Sequence, residues 1–321
     1  MALTDMTLEE LQAYRADVAE PADFDAFWAD TLAEARAIPM LVTVEPVDTP
    51  FKLIDVYDVT FPGFGGDPIK AWLTLPHGAE EPLPAVVQYI GYGGGRDLPG
   101  VEQQWATAGY AHFHMDTRGQ GAGWSPGDTT DRHGSDPSNG FITSGLGSRD
   151  TYYYRRLFVD AVRAVEAARS LPQIDASRVA VQGGSQGGAL TLAVAGMVPD
   201  LVAAMPDVPF LCNFRRAVDV CDSNPYKLVT GYLSVHRDKW DQVFETLSYF
   251  DCVNFAKRAT APSLFSIALM DKICPPSTCF SAYHVYGGEK ELEIYPYNDH
   301  EGGAQAQRML QIRWLNELLG L

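Results

Sequence analysis

Positive charge is scarce in this chain. Its 321 residues hold 24 Lys and Arg against 41 Asp and Glu, for a net charge of −17 and a pI near 4.7. Such a surface repels phosphates and anionic headgroups rather than neutralising them, which argues against nucleic acid or a membrane as partner and leaves neutral small molecules as the easiest substrates. Long apolar runs are missing too: none reaches 18 residues, so no spanning helix is expected. The opening MALTDMTLEELQAYRADVAE is acidic and has neither the basic nor the apolar stretch of a secretory signal. Cysteine is sparse and odd in number: Cys212, Cys221, Cys252, Cys274 and Cys279 show no C-x-x-C spacing, and a chain of this length needs no covalent staples. Reduced thiols in a cytoplasmic protein are the expectation, with no chemistry assigned to them. Internal repeats and low-complexity tracts are absent, and no cofactor or metal is expected.

What the chain does have is alternation. PADFDAFWADTLAEARAIP carries Phe24, Phe27, Trp28 and Leu32 at helical spacing, an apolar stripe suited to a domain edge or a subunit contact. FKLIDVYDVTF and IKAWLTLP flank the turn-rich PGFGGDP and predict an antiparallel lead-in. PAVVQYI, YAHFHMD, RVAV, VAAMPDVPF, PSLFSIALMD and LEIYPYND then read as strands, interleaved with helical stretches such as YYYRRLFVDAVRAVEAARSLP, in which Leu157, Val162 and Val165 share a face, and the closing AQAQRMLQIRWLNELLG. This rhythm predicts one α/β domain over residues 1–321, with a mostly parallel sheet covered on both faces. Residues 1–50 read as an N-terminal helical extension. Residues 211–258, where the strand rhythm lapses, read as a helical insertion over the sheet's functional edge.

Residues 180–190, AVQGGSQGGAL, place Ser185 between a buried strand and a helix. Gly183, Ser185 and Gly187 fit G-x-S-x-G. In that motif a sharp strand-to-helix turn pushes the serine toward positive φ, and the glycines allow two segments to close in. A serine hydroxyl needs a base, and the base needs a carboxylate to fix its tautomer. On a sheet of this kind the order is Ser, acid, His. His77, His112, His114 and His133 precede Ser185, while His236 and His284 fall in or beside helical stretches. His300, in the loop YNDHEGG, remains as the base. Asp271 ends the strand SLFSIALM and opens the stiff loop DKICPPST, although an aspartate there could equally cap a helix begun by Pro275 and Pro276. Asp299 adjoins His300, but neighbouring side chains on an extended segment point apart. For the oxyanion, the N–H of Gln186 and an N–H from IGYGGGRD, taken at Tyr92, are the expected donors.

GGSQGG, DTRGQGAGWSPGD, SRDTYYYRRLFVDAVRAVEAARSLP, TLSYFDCVNFA, ALMDKICPPST and HEGG, in this order, resemble the acetyl xylan esterase and cephalosporin-C deacetylase family, carbohydrate esterase family seven. The N-terminal DMTLEELQAYRADVAEPADFDAFWADTL extends the likeness over nearly the whole chain. The resemblance implies an α/β-hydrolase fold and a serine esterase that deacetylates xylo-oligosaccharides and other small acetyl esters inside the cell. It places the triad at Ser185, Asp271 and His300 and the oxyanion amides at Tyr92 and Gln186. It also implies a homo-oligomer, a hexamer with inward-facing sites. Arg118, in the signature RGQG, is taken as structural. AGWSPGD with Trp124 and the YGGEK loop depart from the family pattern and bear on substrate preference. Tyr92, Trp124 and Phe210 are the expected walls of an acetyl-sized pocket. Rival readings are a general carboxylesterase, a serine peptidase of the prolyl oligopeptidase type, and a non-catalytic binding protein on a hydrolase scaffold.

Overall fold

Side chains alternate between the two faces of a strand, so each strand here must satisfy two different environments. The computed structural model describes residues 5–133 and 140–321. Among these, nine strands form one sheet: β1 (Thr43–Val47), β2 (Ile54–Pro62), β3 (Pro68–Pro76), β4 (Leu83–Tyr89), β5 (Ala111–Met115), β6 (Ile174–Gly184), β7 (Ala203–Asp207), β8 (Ser263–Ala268) and β9 (Lys290–Tyr295). Their order across the sheet is β1-β2-β3-β5-β4-β6-β7-β8-β9. The lead-in, β1 through β3 and on to β5, is antiparallel; from β5 to β9 every neighbouring pair is parallel. With helices on both faces, this is the expected α/β-hydrolase architecture. The chain leaves β4 toward β5 on one side and returns to β6 on the other, so a crevice opens where the carboxyl ends of β4 and β6 meet.

The helices are α1 (Leu8–Ala13), α2 (Phe24–Arg36), α3 (Gln104–Thr107), α4 (Tyr153–Arg169), α5 (Gln186–Met197), α6 (Phe214–Val220), α7 (Tyr226–Val235), α8 (Trp240–Ser248), α9 (Cys252–Ala256), α10 (Pro276–Val285) and α11 (Ala304–Leu319). No helix among the described residues is long and apolar enough to cross a membrane. The α2 stripe is buried as its spacing predicts: Trp28 stacks on Phe158 of α4 at 5.7 Å, and its indole N–H donates to the Tyr249 carbonyl at 2.9 Å. Thr7 and Glu10 cap α1 reciprocally. Residues 214–256 carry α6 to α9 in succession between β7 and β8. The expected helical character of residues 1–50 gives way at β1, a largely exposed edge strand containing Pro46. An edge strand with little to bury shows no apolar alternation, and proline is tolerated there.

Candidate active site

β6 runs straight into α5 with Ser185 at the corner, at φ 57° and ψ −117°. The flanking glycines are required by contact. A Cβ on Gly183 would fall 2.5 Å from the Gly187 carbonyl carbon, and one on Gly187 would fall 2.3 Å from the Tyr89 carbonyl oxygen. The corner is pinned from the other side by β7: Ser185 N–H donates to the Asp207 carbonyl at 2.9 Å, and Phe210 N–H donates to the Ser185 carbonyl at 3.0 Å. The serine is therefore held by backbone on all sides while its hydroxyl reaches a cavity of about 620 Å³.

His300 lines the same cavity. Its Nδ1 donates to Asp271 Oδ2 at 2.8 Å. The other oxygen of Asp271, Oδ1, accepts the N–H groups of Ile273 and Cys274, each at 2.8 Å. Three donors on a carboxylate that is 1% exposed fix its position. Asp299 does a different job: its Oδ1 accepts from His300 N–H at 3.0 Å and Lys272 N–H at 3.2 Å, tying the histidine loop to the acid loop without touching the imidazole. With Nδ1 committed to Asp271, the imidazole presents Nε2 as its remaining acceptor.

At the start of α5, Gln186 N–H is among the orphan donors of a helix N-terminus. Neither it nor Tyr92 N–H has a hydrogen-bond partner among the described residues. The two loops that carry them are cross-braced by the RGQG signature. Gln120 accepts from Gly93 N–H at 2.6 Å and donates to the buried Gln186 side chain at 3.0 Å. Arg118, fully buried, donates from Nη2 to Asp160 at 2.7 Å, from Nε to the same carboxylate, and from Nη1 to Asp67 at 3.1 Å. Its structural reading fits this position, since these contacts bind the loop to α4 away from the cavity.

Tyr92 and Trp124 line the cavity as expected. The Trp124 indole donates to the Tyr92 carbonyl at 2.9 Å and lies so close to Gly94 that a Cβ there would meet the ring at 2.3 Å. Phe210 is a correction. It does not line the cavity but is buried behind Tyr92, with ring centroids 6.2 Å apart, and packs on Tyr226 at 4.4 Å. The bond from its own N–H to Ser185 turns its side chain into the core. Ile273, Asn224 and Pro225 take the wall instead.

One residue at the site escaped the sequence reading. Asp207 ends β7 beneath the nucleophile, and its carboxylate accepts from Ser266, Gln182, Gln307 and Gln311. Burial pushes its carboxyl above the usual range, against the pull of Arg308. The sequence signal was an aspartate closing a strand, as at Asp271. Cys274, expected to carry no chemistry, lies beside the pair: one donor atom each from Asp271, Cys274 and His300 lie within 4.8 Å of one another. Burial pushes the Cys274 thiol well up, so it is a neutral neighbour to the pair. All five cysteines are free and buried.

Residues 1–318 match the family described as Acetyl xylan esterase (AXE1). The acetyl esterase Axe7A of Xylanibacter ruminicola is 32% identical over 311 residues, which cover 92% of this chain and 67% of that protein. An acetyl xylan esterase from a Paenibacillus species superposes with a TM-score of 0.90 at 39% identity, covering 97% of this chain and 99% of that one. Acetyl xylan esterase 1 from a Thermoanaerobacterium species does so with a TM-score of 0.89 at 31% identity, covering 98% and 99%. The matched span takes in the serine corner, the acid loop and the histidine loop, and with two solved esterases covered almost end to end, the chain belongs to the acetyl xylan esterase family.

Proposed function

We propose that this protein is a serine esterase that removes O-acetyl groups from acetylated xylo-oligosaccharides and other small acetyl esters, the cephalosporin C type included. Ser185, Asp271 and His300 are its triad, and the amides of Tyr92 and Gln186 form its oxyanion hole. The observation that carries this reading is the 2.8 Å bond between His300 Nδ1 and a buried Asp271, on the cavity that also holds Ser185. That bond keeps His300 Nε2 unprotonated and turned toward substrate. Nε2 takes the Ser185 proton as Oγ bonds to the acetyl carbon, and the carbonyl electron pair moves onto oxygen, where the two amides stabilise it. As the carbon–oxygen bond to the alcohol breaks, His300 returns the proton to the departing oxygen. Water then repeats the sequence on the acetyl-enzyme: it gives its proton to His300, attacks the acetyl carbon, and Ser185 leaves with that proton as acetate is released.

We also propose a homo-oligomer, a hexamer, which light scattering on the purified protein reads directly, and a cytoplasmic location, in keeping with the acidic opening and the reduced thiols. The esterase reading is tested with a fluorophosphonate probe and a panel of acetyl esters. Stoichiometric labelling at Ser185, with turnover of acetylated sugars, is the expected result. Labelling with hydrolysis of peptide substrates but not of acetyl esters would favour a peptidase, and no labelling would reject the nucleophile.

A further inference from the structure

The cavity holding Ser185 does not end at the serine. It continues along the crevice between the carboxyl ends of β4 and β6 and the first turns of α11. Its two ends differ in chemistry. Beside Ser185 the walls are Tyr92, Trp124, Pro225 and Ile273; farther in they are Gln88, Gln182, Gln311 and Arg308. Donor groups in this inner arm are left open. Gln311, fully buried, gives its amide nitrogen to Asp207 at 2.7 Å and forms the closed floor of the arm. Arg308 donates from Nη1 to the side-chain oxygens of Gln88 at 3.2 Å and Gln182 at 3.1 Å, and no other donor of its guanidinium is engaged among the described residues.

The charge balance narrows the ligand. Asp97, Glu102, Asp207 and Glu301 line the cavity against the single arginine, and His114 is held neutral by burial, which brings it down to about 3. A carboxylate or phosphate gains little there. A hydroxyl both donates and accepts, which suits an arm with free guanidinium donors beside lining carboxylates. Chemistry fixes which half of the ester enters. His300 must protonate the alcohol oxygen, so the alcohol lies on the His300 side of Ser185. The segment that follows His300, from Glu301 to Arg308, supplies residues along that side of the cavity.

We propose that this inner arm is a subsite for the alcohol half of the substrate, a neutral sugar with a hydroxyl met by the free guanidinium donors of Arg308. The assignment rests on the esterase reading above. Its test is a ratio: kcat/KM for a mono-O-acetylated xylobiose divided by kcat/KM for p-nitrophenyl acetate, whose alcohol carries no further hydroxyl. In Arg308→Met the ratio should fall at least about tenfold, because a site built to bond hydroxyls loses discrimination when its partner is removed. Unacetylated xylobiose should also inhibit p-nitrophenyl acetate hydrolysis competitively in the unmodified protein, a measurement that needs no variant to fold. An unchanged ratio in the folded variant, or no competition by xylobiose, with p-nitrophenyl acetate still hydrolysed, would overturn the subsite and leave the esterase standing. Failure of the unmodified protein on every acetyl ester would instead remove the esterase reading, and the subsite with it.

Discussion

Two arginines, one buried and one half-buried, stand on opposite sides of the sheet and are treated in opposite ways. On the side covered by α4 and α5, β4 presents Ala85, Val87 and Tyr89 and β6 presents Val179 and Val181 to one large apolar core. Arg118 is enclosed on that side by the carboxylates of Asp160, Asp67 and Asp131. On the other side the same strands present Val86 and Ala180 to a small cluster under α11, then Gln88 and Gln182 at their carboxyl ends, and among the described residues Arg308 hydrogen-bonds only to their amide oxygens, its guanidinium lying 5.4 Å from the Trp105 ring. A buried cation surrounded by carboxylates is satisfied within the fold. A half-buried cation that keeps donors free on a cavity wall is available to a ligand. The apolar side holds the sheet together, and the side with open polar groups carries the chemistry.

The sharpest way to separate the two is to remove function without touching the fold. Ser185→Ala should abolish acetyl ester hydrolysis, with a loss on the order of 10⁶ in turnover, while leaving thermal stability within about 0.5 kcal/mol. Activity well above background in a folded Ser185→Ala protein would remove this residue from the mechanism. Asp271→Asn should cost on the order of 10⁴ in turnover, because the His300 tautomer is no longer fixed. Asp299→Asn is the control, since Asp299 bonds only backbone amides of the two loops; if it proved the more damaging change, the acid would be misassigned.

Stability measurements probe the comparison from its other side. Asp160→Ala would leave the Arg118 guanidinium buried without its main partner, and breaking a buried pair from one end costs about 3–5 kcal/mol. Arg308→Met removes a cation that has no ion partner within bonding distance, and an apolar replacement of similar length should change stability by less than about 1.5 kcal/mol. Denaturant titration reads both. If Arg308→Met unfolded the protein as readily as Asp160→Ala, Arg308 would be a structural arginine like Arg118, and the contrast between the two sides would fail.

The succession of strands and helices was legible in the sequence from its hydrophobic rhythm, and the serine corner and the Asp271–His300 pair because each rests on a local demand: glycines for a close turn, an acid at a strand end, a histidine before the last helix. Residues whose roles come from distant partners were not. Asp207 takes its meaning from Gln182, Ser266, Gln307 and Gln311, and nothing near VAAMPDVPF announces them. Gln307, Gln311 and Leu315 make a buried stripe at i, i+4 and i+8 on α11, but glutamines on a terminal helix read as a solvated face. Phe210 was misplaced because a strand end tells where a residue sits and not which way its side chain turns. β1 passed for part of a helical extension because its burial is too slight to leave a pattern.

The smallest expected effect concerns the outer end of the cavity, where Tyr92, Trp124, Ile273 and Pro225 stand around Ser185. An open groove would reward longer acyl chains, since each methylene buried contributes about 0.8 kcal/mol. Closed walls reverse the trend, because extra carbons forced against packed side chains cost about 1–3 kcal/mol. Trp124 is the wall most able to yield, being 67% exposed, yet its indole is anchored to the Tyr92 carbonyl and seated against Gly94. The closed case should therefore hold: p-nitrophenyl acetate should exceed the butyrate in kcat/KM by at least about tenfold, a gap of about 1.4 kcal/mol. Trp124→Ala should narrow that gap by admitting the longer chain, and should lower acetate turnover somewhat, because the loop carrying the Tyr92 amide loses its brace. Equal or faster hydrolysis of butyrate by the unmodified protein would mark the outer end as open and the enzyme as a general carboxylesterase.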